Sequence, residues 1–285
     1  MDTRSAELLE FPLIRERLAA YAAFEPSRLL ASSLEPATDP VIVTRRLDET
    51  DEARWLLSEK PNVGIGGARD IGPVLARASR GGRLDPPELW SVVETIIAAG
   101  RLVDGLRELD RPLLHALYRS IDPLPALRNR LEASVDPTGE GLDTASPALG
   151  GLRRAVRVAH ERLRNRLEAL IHSDVASALQ EPIVTLRNGR YVVPVRAEAR
   201  SRVKGIVHDQ SGSGQTIFVE PLIAVEMSNA WREAELAAQA EEERVLDELS
   251  AHVAADADAL EADLEALARF DLWMCRARLA EELDA

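Results

Sequence analysis

Residues 181–221, EPIVTLRNGRYVVPVRAEARSRVKGIVHDQSGSGQTIFVEP, decide how the chain is organised. This island is rich in β-branched residues and is punctuated by Gly and Pro, which is typical of short strands and turns. On both sides of it, apolar residues recur at helical spacing over long stretches. The pattern predicts a small β-sheet inserted between two long helices.

Four β-rich runs within the island predict the strands of that sheet. They occupy residues 183–186, 191–195, 205–207 and 216–219. Asn188-Gly189 separates the first two runs, and this dipeptide is a strong signal for a two-residue hairpin turn. Pro194 cannot donate a hydrogen bond, so it predicts that its strand is an edge strand or carries a bulge. We expect an antiparallel sheet.

The island has a charge opposite in sign to that of the whole chain, whose formal net charge is -13. Residues 183–210 contain two acidic and six basic residues, a net charge of +4; the basic ones are Arg187, Arg190, Arg196, Arg200, Arg202 and Lys204. The last three alternate along the chain, so an extended segment would place them on one face. Two interpretations stay open: an array that contacts phosphates, or a charged sheet edge that resists aggregation.

The segments flanking the island predict two long helices of opposite charge. Ser146-Pro147 is a helix start, and apolar spacing continues to Leu179, which would give a rod of roughly 45 Å. Residues 224–282 contain no Pro or Gly and would give a rod of up to roughly 85 Å if unbroken. Residues 153–166 hold six arginines and one acid, whereas residues 226–265 hold thirteen acids and two arginines. This favours an antiparallel coiled-coil arm.

The residues before the arm predict a helical bundle. Asp39 precedes Pro40, and Asp85-Pro-Pro-Glu88 has the residue types of a helix N-terminus. The expected fold is therefore mainly α. Four regions are predicted: a helical core domain at 1–146, an ascending lever helix at 147–181, a β clamp at 182–221 and a descending lever helix at 222–285.

Composition and motifs exclude several classes of function. Cys275 is the single cysteine, which rules out an intrachain disulfide and a zinc site built of cysteines. No segment has the length and hydrophobicity of a signal peptide or a membrane span, so a cytoplasmic location is expected. Gly64-Ile-Gly-Gly67 lacks the GK[ST] of a phosphate-binding loop. His208 and Ser211 are too close in sequence to suggest a catalytic triad, and no enzymatic activity is expected of this chain.

The stretches LEFPLIRERLAAYA, LDTASPAL and LQEPIVTLRNGRYVVPVRAEARSRVKGIVHDQSGSGQTIFVEP resemble the MutS family, and most closely its bacterial MutS2 branch. The resemblance spans essentially all 285 residues. It implies a helical core, two lever helices and a clamp at their tip. In that family two subunits dimerise through an ATPase domain and close on nucleic acid. The branch is linked to recombination suppression, branched-DNA binding and rescue of collided ribosomes.

The resemblance also implies which functional parts of the family are expected to be missing from these 285 residues. The P-loop ATPase pattern of the family is absent from the 285 residues, so ATP and magnesium are expected only in the ATPase domain of a full-length protein, together with its homodimer interface. The resulting interpretation is a clamp that contacts DNA, branched or duplex, or ribosomal RNA through the phosphate backbone, using the six basic residues of the island. The alternative is a coiled-coil module whose β tip docks on a protein partner.

Overall fold

The computed structural model describes residues 7–285, and residues 1–6 of the predicted core domain lie outside this description. The chain divides into two compact units. The first contains the residues up to Leu142 together with Leu246–Ala285, and the second is Asp143–Val245. The fold is mainly helical with one small antiparallel sheet, as predicted.

The helices and strands of the described residues follow in chain order. The helices are α1 (Phe11–Ala20), α2 (Glu25–Ser32), α3 (Pro40–Glu59), α4 (Gly72–Ala78), α5 (Pro86–Leu106), α6 (Pro112–Tyr118), α7 (Pro125–Glu132), α8 (Leu149–Ile171), α9 (Leu222–Ala255) and α10 (Ala257–Leu283). The strands are β1 (Thr185–Arg187), β2 (Arg190–Arg196), β3 (Gly205–Gln210) and β4 (Thr216–Pro221). Two 3₁₀ turns, Asp174–Ala178 and Ala197–Arg202, complete the second unit.

The first unit is a helical bundle in which α10 packs against α2 and α3. Its main core includes the fully buried Leu56, Leu102 and Phe270. The predicted helix starts are confirmed, because the Asp39 carboxylate accepts from the amide of Val41 and Asp85 forms a capping box with Glu88. These contacts satisfy amides that the first turn of each helix leaves unpaired.

The sheet in the second unit has the strand order β1-β2-β4-β3, with every neighbouring pair antiparallel. The Asn188-Gly189 hairpin is confirmed, and both residues have the positive φ angles, 50° and 74°, that a tight two-residue turn requires. The prediction for Pro194 was wrong, since β2 is an interior strand. Its first half pairs with β1 and its second half with β4. The carbonyl oxygen of Pro194 accepts a hydrogen bond from Gln180 N, on the side of β2 that faces away from β4. The backbone nitrogen of Pro194, which carries no hydrogen, faces the same side.

Both long helices are shorter than the sequence pattern predicts. The first ends at Ile171 rather than near Leu179, because Ser173 interrupts it. Its hydroxyl donates to the carbonyl of Leu170 and caps the following 3₁₀ turn. The predicted rod after the island is divided into α9 and α10 at Asp256.

Candidate nucleic-acid interface

One face of the sheet forms the small core of the second unit. Val193, Val195 and Val219 are fully buried there, together with Leu179 and Val203. Cross-strand pairing sets this arrangement, because Val193 lies opposite Val219 and both side chains point to the same side. The valines of the island therefore hold the sheet together, and the charged residues of the island lie outside this core.

An aromatic cluster joins the sheet to both neighbouring helices. His160 of α8, Tyr191 of β2 and Trp231 of α9 have ring centroids 5.2–5.6 Å apart. The Tyr191 hydroxyl lies 2.7 Å from His160 Nε2. Leu163 and Leu167 pack beside the cluster and are fully buried. Tyr191 is thus committed to packing and is not a platform for a nucleic-acid base.

The first basic residue of the island, Arg187, lies against the sheet. Its guanidinium is 4.5 Å from the centroid of the Phe218 ring, and its Nε is 3.5 Å from the Asp209 carboxylate. The adjacent Asn188 donates to the carbonyl of His208. These contacts hold the β1–β2 hairpin over β3 and β4. They also cover the ring of Phe218, the other aromatic residue of the island besides Tyr191.

Arg190 belongs to a polar network around the buried carboxylate of Glu220. This carboxylate, 2% exposed, lies 2.7 Å from His208 Nε2 and 3.5 Å from Arg190 Nη1. Arg190 also donates to Asn229 Oδ1 at 2.8 Å. A buried carboxylate requires such partners because the loss of its hydration is costly. Arg190 thus neutralises Glu220, a partnership that the sequence did not predict.

The predicted alignment of Arg200, Arg202 and Lys204 on one extended face was wrong. Residues Ala197–Arg202 form a 3₁₀ turn, in which side chains two apart do not share a face. The guanidinium of Arg200 folds back to donate to the carbonyls of Val203 and Gly205 at 2.6 and 2.7 Å. Alternating charge alone does not distinguish a strand from a turn, and these two bonds favour the turn.

Three of the six basic residues remain exposed without a carboxylate partner within the part of the chain that the structure describes: Arg196, Arg202 and Lys204. Arg202 makes one long hydrogen bond, 3.3 Å, to the carbonyl of Asp174. Arg196 ends β2, and Lys204 immediately precedes β3. The structure thus separates the six predicted residues into three that are held by the fold and three whose charges face solvent.

The predicted charge pairing of the basic and acidic helices is seen at the N-terminal end of α8. Arg153 bridges Asp143 and Glu242 at 2.9 and 3.3 Å. The hydrogen bond from Arg153 is the main reason why the pKa of Asp143 lies below its usual value. In α9, hydrogen bonds from Arg244 and then Ser146 lower the pKa of Glu241 to about 2. These carboxylates therefore stay charged well into the acidic range.

The two residues of the island that were considered for catalysis, His208 and Ser211, both contact neighbouring residues of the island. His208 is engaged with Glu220, and the Ser211 hydroxyl contacts Ser213 and accepts from Thr216 N. Across residues 7–285, no group of three or more His, Cys, Asp or Glu side chains could hold a metal ion. In the same range, no helix is both long and apolar enough to cross a membrane.

Comparison with known proteins finds relatives that match the whole chain. The chain is 43% identical over 285 residues to a protein of Symbiobacterium thermophilum and 43% identical over 290 residues to one of Thermomicrobium roseum. It is 40% identical over 291 residues to one of Geobacillus thermodenitrificans. All three are named Endonuclease MutS2, and the chain spans 36–37% of their length. No family model matches the chain.

Proposed function

Since the chain is homologous along its whole length to part of the MutS2 proteins, we propose that its island binds the phosphate backbone of nucleic acid. The observation that carries the proposal is the exposed trio Arg196, Arg202 and Lys204. These side chains lie in a segment of net charge +4 within a chain of net charge -13, and no carboxylate of the described residues neutralises them. Such uncompensated charge is suited to a polyanion.

The proposal reassigns the roles of the six predicted residues. Arg187, Arg190 and Arg200 shape the island through Phe218, Glu220 and two backbone carbonyls. The exposed trio makes the phosphate contacts. Because phosphate contacts carry no sequence information, binding is independent of base sequence.

For a full-length protein we propose that α8 and α9 act as levers, the sheet acts as a clamp, and ATP bound elsewhere drives their movement. The protein would then act as a homodimer in recombination and repair control, or on stalled ribosomes. The relatives' name assigns them endonuclease activity. For the present chain we propose binding without ATP hydrolysis or nucleic-acid cleavage.

Fluorescence anisotropy with a labelled 30-base-pair DNA duplex tests the island. The variant R196Q/R202Q/K204Q should bind more weakly than wild type. Removal of three phosphate contacts should also reduce the slope of log affinity against log salt by about 2.7. The matched control is R80Q/R101Q/R119Q, which removes three exposed arginines of the first unit and should leave both quantities unchanged.

A second candidate function rests on the open edge of the sheet. Strand β3 is an outer strand, and its Ile206 and Val207 are 46% and 49% exposed. An extended peptide of a protein partner could add to this edge. Wild-type protein that does not bind the duplex at 50 mM salt, or island and control variants with equal affinity, would contradict phosphate binding by the island and favour the protein-docking function.

A further inference from the structure

Helix α8 carries a regular row of exposed residues that the island does not include. Arg154, Val158, Arg162 and Arg166 follow each other at intervals of four residues, which makes them one ridge on a helix surface. All four are exposed, and Val158 has 39% of its surface accessible. We call these four residues the α8 ridge.

The ridge begins opposite the side of α8 that packs in the second unit. That side is marked by Leu163 and Leu167, both fully buried. At about 100° per residue, Leu163 points roughly 180° away from Arg154, about 100° from Arg162 and about 60° from Arg166 around the helix axis. The row thus drifts toward the buried side along its length. All four side chains are exposed beside the contacts that this buried side makes.

The three arginines of the ridge have no ion-pair partner within 4 Å in residues 7–285. Other arginines of the same helix do have one, since Arg153 pairs with Asp143 and Glu242 and Arg164 pairs with Glu168. Arg162 and Arg166 are also one turn apart, where like charges destabilise a helix. The charge of Asp143 interacts with Arg154 at one end of the ridge. Arg162 and Arg166 repel each other at the other end, and a bound anion would relieve that repulsion.

We propose that the α8 ridge is a second nucleic-acid contact, which binds the phosphate backbone of a duplex separately from the island. The inference rests on the proposed function. Arg154 and Arg166 are about 18 Å apart along the helix axis. A duplex carries about ten phosphates over that length, and guanidinium groups can bind phosphate oxygens in a bidentate manner.

The regular spacing of the ridge favours a repeating polyanion over a protein surface. A duplex presents phosphates along its whole length, so several register positions would satisfy a row of arginines. Val158 occupies the one position of the row without charge. An arginine at that position would complete the row without disturbing the buried side of the helix. This gives the proposal a test by gain of affinity as well as by loss.

The anisotropy titration with the 30-base-pair duplex is repeated with R154Q/R162Q/R166Q, V158R and V158E. The triple variant should lose affinity. The ratio of wild-type affinity to variant affinity should fall about 40-fold between 50 and 200 mM salt, as expected for three lost phosphate contacts. V158R should bind more tightly than wild type and V158E more weakly. Circular dichroism of each variant checks that α8 is intact, and R80Q/R101Q/R119Q again serves as the control.

The outcomes separate this inference from the proposed function. If the ridge variants match wild type while R196Q/R202Q/K204Q is weakened, the ridge proposal is overturned and the island proposal stands. If the ridge variants are weakened and the island variant is not, the ridge is supported and the island assignment fails. If ridge substitution changes only self-association in sedimentation, with DNA affinity unaltered, the ridge is a protein contact and the inference is overturned. Wild type that binds no duplex overturns both proposals.

Discussion

The capacity of a cationic side chain to bind a ligand depends on what its charged group already contacts. Arg196 and Arg200 are four residues apart in the same basic segment. The guanidinium of Arg200 is half-buried and donates to two carbonyls, whereas Arg196 is exposed at the end of β2. The two residues count equally in the composition, and only the tertiary structure shows which guanidinium group is free to bind a ligand.

This difference predicts that the same type of substitution destabilises the fold at Arg200 and leaves its stability nearly unchanged at Arg196. R200Q should lower the free energy of unfolding by about 1–3 kcal/mol, because the carbonyls of Val203 and Gly205 lose a charged donor. R196Q should change it by less than about 0.5 kcal/mol, as expected at the surface. Urea denaturation measures both. Equal stability of the two variants would show that the bonds of Arg200 do not hold the 3₁₀ turn.

At the scale of secondary structure, local chemistry predicts some elements and fails for others. Asn188-Gly189 predicts its hairpin because few residues other than Asn and Gly adopt positive φ readily. Pro194 misleads because β2 changes partners along its length, a property of the whole sheet. The early end of α8 depends on Ser173, whose side chain forms hydrogen bonds that compete with the helix. The spacing of apolar residues does not reveal these bonds.

The aromatic cluster leads to a prediction about how the sheet is attached to the helices. Y191F removes the hydroxyl that contacts His160 Nε2 and leaves the ring packing in place. The loss of one partly buried hydrogen bond should destabilise the sheet by about 0.5–1.5 kcal/mol. Hydrogen exchange of the β2 amides should accelerate by a corresponding factor, while the amides of α5 in the first unit keep their protection. Unchanged exchange in β2 would mean that ring packing alone holds the sheet.

At the scale of the whole molecule, the sequence predicts the existence of a basic segment but not its internal pairing. Acid and base counts locate residues 183–210 as a positive region in a negative chain. They do not reveal that Glu220 neutralises Arg190 from 30 residues away, or that Arg153 meets Glu242. Partners that are distant in sequence come together only through folding, so the identity of the exposed charges follows from the structure.

One buried acid gives the fold a pH-dependent stability that can be measured on the whole molecule. Asp263 of α10 is 3% exposed. One of its oxygens accepts from Asp122 N, and the other has no partner among the described residues. Burial raises the pKa of Asp263 from 3.8 to about 7. The folded chain therefore holds a proton that the unfolded chain releases at lower pH, and the penalty for ionising this carboxyl grows between pH 3.8 and about 7.

D263N should remove this penalty, because the amide has the same shape and no charge. We expect the free energy of unfolding of D263N, relative to wild type, to rise by about 2–3 kcal/mol between pH 5 and pH 8. The sign follows from the raised pKa: wild type loses stability as pH rises through that range, and the variant does not. Urea denaturation at pH 5, 6, 7 and 8 measures the difference, with E261Q as the control for loss of an exposed acid on the same helix. Parallel pH profiles for wild type and D263N would show that Asp263 is stabilised in its charged form and that its second oxygen has a partner.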